Sequence, residues 1–113
     1  LGWHFDNSAF AVTLMLKPAK AGGNFEYVRN LRSSETEDMA FEKVKEVLDG
    51  KITPTNISIT GGDLLLFRGL NSLHRVSPVT DNTVRHMAVL AYNREPNVEL
   101  SEIARQTFYG RVK

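Results

Sequence analysis

Short apolar runs separated by turn-forming residues extend along most of the chain, and they predict a mainly β protein. Residues 10–16 form a near-continuous apolar run whose length suits a buried strand. Apolar and polar positions alternate around Phe25 and Tyr27, which predicts a strand over residues 24–28. Further strands are predicted over residues 54–60, 64–67, 74–79 and 83–92, and Asp81-Asn82 is a hairpin signal before the last of them.

Two segments have the spacing of helices instead. A capping box at Ser34-Glu35-Thr36-Glu37, with Ser34 as the N-cap, and a C′ glycine at Gly50 enclose a periodic apolar pattern. That pattern consists of Ala40, Phe41, Val44, Val47 and Leu48. It predicts a helix over residues 35–49 that packs on the outside of a sheet. Residues 99–108 are also helix-like, with Ser101 as a candidate N-cap.

The order of these elements, short strands joined by turns with one inserted helix, indicates an antiparallel barrel or double sheet. At 113 residues, the length allows one domain with a single core, over residues 1–113. The chain begins with Leu1, and the first residues of chemical interest follow at once. We therefore expect a partial domain, the C-terminal portion of a longer protein that lacks N-terminal elements.

Charge and composition narrow the class of function. The formal net charge is +1, and the basic residues are scattered, so we expect neither a nucleic-acid nor a membrane partner. The absence of cysteine excludes disulfides, thiolate metal sites and cysteine nucleophiles, and it fits a reducing compartment such as the cytoplasm. We find no signal peptide and no transmembrane span.

The candidate chemistry begins in Gly2-Trp3-His4-Phe5-Asp6. Two good metal ligands, His4 and Asp6, are two residues apart, so an extended backbone places both side chains on one side. His74 follows a loop rich in turn-formers and is a candidate third ligand. Two histidines and one carboxylate form the facial triad of non-haem Fe(II) oxygenases. By itself the His-x-Asp pair is equally compatible with a surface histidine that is held by an aspartate.

A second candidate, Arg85, lies on an apolar predicted strand, where a charged residue is costly unless it is paired. Because a guanidinium binds a carboxylate in a bidentate manner, Arg85 is expected to have a carboxylate partner. That partner is either internal, Asp63 or Glu26, or belongs to a small-molecule ligand.

Several motifs in a fixed order resemble those of the Fe(II)/2-oxoglutarate-dependent oxygenases, and more narrowly the prolyl-hydroxylase-like branch. The resemblance covers residues 2–93 and includes the 11-residue spacing from His74 to Arg85. Its motifs are Gly2-Trp3-His4-Phe5-Asp6, Thr13-Leu14-Met15-Leu16, Gly22-Gly23-Asn24-Phe25, Gly62-Asp63-Leu64-Leu65-Leu66-Phe67, His74-Arg75-Val76-Ser77-Pro78-Val79 and Arg85. The tail and the helix after Ser34 resemble the subgroup that contains free-amino-acid hydroxylases and radical halogenases.

The resemblance implies a double-stranded β-helix, a jelly-roll or cupin-like fold. In it His4, Asp6 and His74 would be the catalytic metal ligands for Fe(II), and Arg85 would bind the distal carboxylate of the cosubstrate 2-oxoglutarate. With O₂, such an enzyme hydroxylates an unactivated C–H of a small-molecule or amino-acid-like substrate and releases succinate and CO₂. Halogenases of this kind have Gly or Ala at the carboxylate position, so Asp6 predicts hydroxylation rather than chlorination.

The resemblance leaves several points open. The family's Arg-x-Ser pattern is absent, because Arg85-His86-Met87 stands there, and Thr13 or Lys17 could provide the second contact to the cosubstrate. Two roles are equally compatible with four further side chains: they either line the pocket, as in the amino-acid-oxidising subgroup, or have a surface or hydrogen-bonded core role. These residues are Asn7, Tyr92, Asn93 and Tyr109. A surface left bare by missing N-terminal elements predicts a homodimer. The alternatives are a cupin-like metal- or ligand-binding module without redox activity, and a non-catalytic fragment.

Overall fold

The computed structural model describes residues 2–33 and 35–112, which form six strands and two helices. The elements are β1 (Phe10–Lys17), β2 (Phe25–Val28), α1 (Phe41–Leu48), β3 (Thr55–Ile57), β4 (Leu64–Phe67), β5 (Leu73–Val76), β6 (His86–Tyr92) and α2 (Glu102–Tyr109). The prediction of a mainly β protein is therefore confirmed. Ser34, the predicted N-cap, lies outside the described residues.

The strands form two three-stranded antiparallel sheets, ordered β4-β1-β6 and β3-β2-β5. The two sheets meet through aromatic side chains, since Phe25 of β2 stacks edge-to-face on Phe67 of β4 with ring centroids 4.8 Å apart. Tyr27 contacts the same ring at 5.6 Å. Because side chains alternate along a strand, each sheet turns one set of residues toward the other sheet and one set away.

Helix α1 begins at Phe41, so the predicted start at residue 35 is wrong. Ala40, at the N-cap position, has a left-handed conformation with φ of 55°, and no side chain caps the helix there. The carboxylate of Asp38 accepts a hydrogen bond from the Ala40 N–H at 2.8 Å, which stabilises a local turn in place of a helical one. The predicted C-terminal end is confirmed, since Asp49 is the C-cap and Gly50 has φ of +75°.

The buried core lies on the outer side of the β3-β2-β5 sheet, beneath α1. Leu31, Val47 of α1 and Leu73 of β5 form its centre. Residues packed against this centre include Trp3 and Phe5. These two aromatic residues flank His4, so the core itself fixes the segment that carries the first candidate ligands.

Helix α2 has the predicted N-cap, because the Ser101 side chain accepts a hydrogen bond from the Ala104 N–H at 3.2 Å. Gly110 ends the helix in a left-handed conformation. Of the residues in α2, Ala104 is buried and Ile103 is 81% exposed. Within the described ranges, neither helix is long and apolar enough to cross a membrane.

The outward side of the β4-β1-β6 sheet is apolar and open. The register aligns Phe10 with Tyr92, and places Leu66 and Leu90 on either side of Val12. Leu66 is 71% exposed and Leu90 is 52% exposed. A contiguous apolar surface of this kind is typical of a protein contact or an aggregation site.

We propose that the expected homodimer forms through this surface. Replacing both Leu66 and Leu90 with Lys should then reduce self-association, because two charges would have to be desolvated in the contact. Sedimentation velocity at several concentrations measures the effect. Lysines at Phe41 and Ile103, which are 74% and 81% exposed on the helices, form the matched control. An unchanged distribution in the sheet variant would contradict the expectation.

Candidate metal centre

The candidate centre is built on a backbone bridge between the start of the chain and β5. His4 and His74 form an isolated antiparallel bridge. In it the His4 N–H donates to the His74 carbonyl and the His74 N–H donates to the His4 carbonyl, each at 3.0 Å. The bridge brings the two imidazoles together, with ring centroids 4.3 Å apart. Two backbone hydrogen bonds thus join His4 and His74, which are 70 positions apart in the sequence.

Asp6 completes the cluster. Its backbone N–H donates to the Gly69 carbonyl at 3.0 Å, in the loop before β5. Its Oδ1 lies 3.2 Å from His74 Nε2 and 3.7 Å from His4 Nε2. In the part of the chain that the structure describes, this is the one group of three or more His, Cys, Asp or Glu side chains that could hold a metal ion, with ligand atoms within 4.8 Å of one another.

The other ring nitrogen of each histidine, Nδ1, is hydrogen-bonded to a backbone carbonyl. Nδ1 of His4 lies 2.8 Å from the Gly2 carbonyl oxygen, and Nδ1 of His74 lies 2.8 Å from the Ser72 carbonyl oxygen. A carbonyl can only accept, so both Nδ1 atoms carry the proton in these contacts. The Nε2 atoms then keep their lone pairs, and outer contacts of this kind orient metal-binding histidines.

Burial favours the neutral form of His4. Desolvation is the largest influence and lowers the pKa of His4 below its ordinary value of 6.5, and the nearby His74 lowers it further. The hydrogen bond to Gly2 and the charge of Asp6 act in the opposite direction without reversing the shift. A neutral imidazole is the form that binds a metal, so the site needs no proton release from His4 near neutral pH.

The cluster opens into a cavity of about 590 Å³ between the two sheets. Aromatic rings form part of its wall, because Phe67 contacts the His74 ring at 4.8 Å and Phe25 contacts it at 5.7 Å. Phe108 of α2 lies edge-on to the His4 ring at 6.1 Å and also lines the cavity. The site is thus apolar on several sides.

Arg85 lines the same cavity. Its Nε and Nη2 atoms are buried without a hydrogen-bond partner among the described residues. Its Nη1 donates to the thioether sulfur of Met87 at 2.8 Å, and a thioether is a weak acceptor. Burial lowers the pKa of Arg85, although a guanidinium stays charged at neutral pH. Gly23 leaves room for this side chain, because a Cβ there would lie 3.0 Å from Arg85 Cδ.

Neither internal carboxylate considered for Arg85 is its partner. The Asp63 carboxylate accepts hydrogen bonds from the N–H and the hydroxyl of Thr60, at 2.9 Å and 2.8 Å. The Glu26 carboxylate accepts from Arg75. In the described part of the chain, the cavity therefore contains a partly buried guanidinium that has two buried, unpaired nitrogens and no carboxylate partner.

The four residues that could have lined the pocket are not in the cavity lining, so the alternative interpretation, a surface or hydrogen-bonded role, is the one that fits. Asn7 accepts a hydrogen bond from the Ser101 N–H, and Asn93 accepts one from the Ala9 N–H. Tyr92 stacks on Phe10, and Tyr109 is 64% exposed.

Of the two candidates for a second cosubstrate contact, Thr13 lines the cavity, whereas Lys17 is exposed and does not. Gly69 and Phe108 are site residues that the sequence analysis did not single out, because nothing local to either of them points to the metal cluster.

Taken together, a mainly β chain with two imidazoles and a carboxylate arranged in this way is compatible with an iron-binding enzyme. A model of the family described as Halogenase D matches residues 1–110, so the chain belongs to that family. Membership of a halogenase family also indicates that the chain is of an enzyme type. No curated protein matches the chain.

The shifted pKa of His4 predicts how stability depends on pH in metal-free protein. The unfolded chain takes up a proton near pH 6.5, whereas folded His4 does so only at a lower pH. The unfolded state therefore binds more protons below pH 6.5, and the free energy of unfolding should fall as the pH decreases through that range.

Urea unfolding at several pH values, with a chelator present, measures this loss. His4→Gln should flatten the pH dependence, whereas His86→Gln, which changes an exposed histidine, should not. Equal slopes for the wild type and His4→Gln would contradict the assignment.

Proposed function

We propose that the chain is the catalytic part of an Fe(II)- and 2-oxoglutarate-dependent dioxygenase that hydroxylates an unactivated C–H of a small-molecule or amino-acid-like substrate. The observation that carries the proposal is the presence of His4, Asp6, His74 and an unneutralised guanidinium, Arg85, around one cavity. The proposed fold is a double-stranded β-helix, and the two opposed antiparallel sheets support it.

The ligand set fits Fe(II). Two neutral imidazoles and one carboxylate on one side of an ion leave the other positions open, which is the arrangement of non-haem iron oxygenases. When bound, the iron together with 2-oxoglutarate and O₂ supplies the oxidising power for C–H hydroxylation, and succinate and CO₂ are released. The protein's contribution is to aim the two Nε2 atoms through their Nδ1 contacts with Gly2 and Ser72.

Arg85 suits the distal carboxylate of 2-oxoglutarate. A guanidinium whose Nε and Nη2 are buried and unpaired has lost hydration without compensation, and a bound carboxylate would restore both charge and hydrogen bonds. Thr13 lines the same cavity and has a hydroxyl that can provide a second contact. In this arrangement the cluster residues would hold the metal end of the cosubstrate and Arg85 would bind its distal carboxylate.

The cavity is also suited to a small substrate. Its volume of about 590 Å³ is within the range of small-molecule sites. Phe25, Phe67 and Phe108 line the cavity beside the histidines and would exclude water from the reacting centre. The substrate would approach the cluster from the side that these rings leave open.

Halogenation is the second candidate, and membership of the Halogenase D family favours it. The position of Asp6 argues for hydroxylation instead. Its Oδ1 lies within 3.7 Å of both histidine Nε2 atoms, where a halide ligand would otherwise bind the iron. With a carboxylate in that place, the remaining positions are needed for the keto acid and O₂, and none is left for a halide.

An anaerobic titration with Fe(II) tests the proposal. The weak visible charge-transfer absorption of an iron-bound keto acid should appear only when Fe(II) and 2-oxoglutarate are both present. Arg85→Met should weaken binding of 2-oxoglutarate by about 10-fold to 100-fold, because hydrogen bonds to charged groups contribute about 1.5–3 kcal/mol. Binding of Fe(II) alone should be unchanged.

Arg68→Met is the matched control, because Arg68 is an exposed arginine outside this cavity. Metal binding that is indifferent to 2-oxoglutarate would instead indicate a cupin-like module without redox activity. No metal binding by the wild type would indicate a non-catalytic fragment.

The choice between hydroxylation and halogenation is tested with a panel of free amino acids in the presence of chloride, with products identified by mass spectrometry. The wild type should add one oxygen atom and no chlorine. Asp6→Gly should lose hydroxylation by a large factor, and any chlorinated product should appear only in this variant. The same variant in chloride-free buffer is the control, and chlorination by the wild type would contradict the proposal.

A further inference from the structure

Gly69 lies directly against two of the candidate ligands, Asp6 and His74. It is buried, and its carbonyl accepts the Asp6 N–H. A Cβ at this position would lie 1.9 Å from Asp6 Oδ2, 2.4 Å from Asp6 Cγ and 2.8 Å from His74 Cε1. Its φ lies outside the left-handed region, so the backbone itself does not require glycine. Glycine is required because the side chains of Asp6 and His74 occupy the space that a Cβ would need.

We propose that Gly69 is a positioning residue that admits the Asp6 carboxylate to the metal centre, so that a carboxylate at position 6 and a side chain at position 69 exclude each other. The inference rests on the proposed function, because it treats Asp6 as a metal ligand. It adds to that function a residue that contacts neither metal nor substrate but decides which ligand set the centre can have.

The backbone cannot relieve the overlap, because the 3.0 Å hydrogen bond from Asp6 N–H to the Gly69 carbonyl fixes the distance between the two segments. The side chain of Asp6 can relieve it by rotating. Rotation, however, carries the carboxylate away from the histidine Nε2 atoms, which are 3.2 Å and 3.7 Å from Oδ1. A methyl group at position 69 should therefore damage metal binding more than folding.

Other glycines provide a contrast. A Cβ at Gly2 would meet nothing within 4 Å, although Gly2 lies two residues from His4. A Cβ at Gly61 would lie 3.6 Å from the nearest atom, the Leu16 carbonyl oxygen, which is an ordinary contact. Neither has φ in the left-handed region. Gly61→Ala is therefore the matched control, because Gly61 is remote from the cluster, whereas the Gly2 carbonyl orients His4.

The test compares four proteins: the wild type, Gly69→Ala, Asp6→Gly and the double variant. Co(II) binding, followed by visible absorption without any turnover, is the readout. In the presence of Asp6, Gly69→Ala should weaken Co(II) binding by about 10-fold to 100-fold, the range for residues that orient ligands. In the Asp6→Gly background the same change should cost about threefold or less, because two of the three closest atoms are gone.

Equal losses in both backgrounds would overturn the proposal, and so would undiminished Co(II) binding by Gly69→Ala. If Gly69→Ala does not fold but the double variant folds and binds like Asp6→Gly, the rescue supports the proposal. If the double variant fails to fold although Asp6→Gly folds, glycine is needed for other reasons and the proposal is wrong.

The outcome also separates this inference from the function on which it rests. A wild-type protein that binds neither Fe(II) nor Co(II) would overturn both. A wild-type protein that binds the metal and 2-oxoglutarate, together with a Gly69→Ala variant that binds equally well, would overturn only the role of Gly69.

Discussion

The two backbone hydrogen bonds between His4 and His74 are the constraint on which the rest of the site depends. They hold a segment near the start of the chain against β5, and a terminal segment without such contacts would be poorly ordered. Packing supports them from the other side, since Trp3 and Phe5 contact the core beneath α1. Guanidinium groups cover these rings, Arg75 over Trp3 at 4.7 Å and Arg32 over Phe5 at 3.9 Å. Both the backbone hydrogen bonds and the packing of its neighbours on the core therefore hold His4 in position.

In this arrangement the two faces of the β3-β2-β5 sheet have different roles: one packs in the core and the other lines the cavity. The outer face carries the core, with Leu73 only 2% exposed. The next residue, His74, points to the inner face and the cavity, where it contacts Phe25. Alternation along one strand thus places one of the two most buried apolar residues, Leu73, directly before a candidate ligand. A shift of one residue in register would exchange the two, so the core also enforces the chemistry of the site.

Structural features that depend only on neighbouring residues, such as strands and helix caps, could be predicted from the sequence. The strand periods and the Ser101 cap could be recognised in the sequence. The His-x-Asp spacing, a charge on an apolar strand and the resemblance of the motifs to a known family together selected His4, Asp6, His74 and Arg85, all of which line one cavity. The start of α1 was missed because the Asp38–Ala40 turn competes with the capping box. The sequence could not decide whether residues such as Asn7 line the pocket, and it could not reveal the role of Gly69, because the partners of these residues are distant in the chain. Asn7, for example, binds the backbone of Ser101, and the neighbours of Gly69 come from two other segments.

Charge balance explains why sterics, rather than electrostatics, should determine the chemistry of the proposed centre. With neutral imidazoles, the charges of an iron dication and the Arg85 guanidinium would be balanced by the Asp6 carboxylate and a dianionic keto acid. Replacing the Asp6 carboxylate with a halide leaves the same sum, so the buried charge favours neither hydroxylation nor halogenation. What differs is space: the carboxylate is tethered to the backbone beside Gly69, whereas a halide must find an empty position. In the proposed centre, either ligand set would therefore fit one electrostatic framework, and the side-chain volume at positions 6 and 69 would select between them.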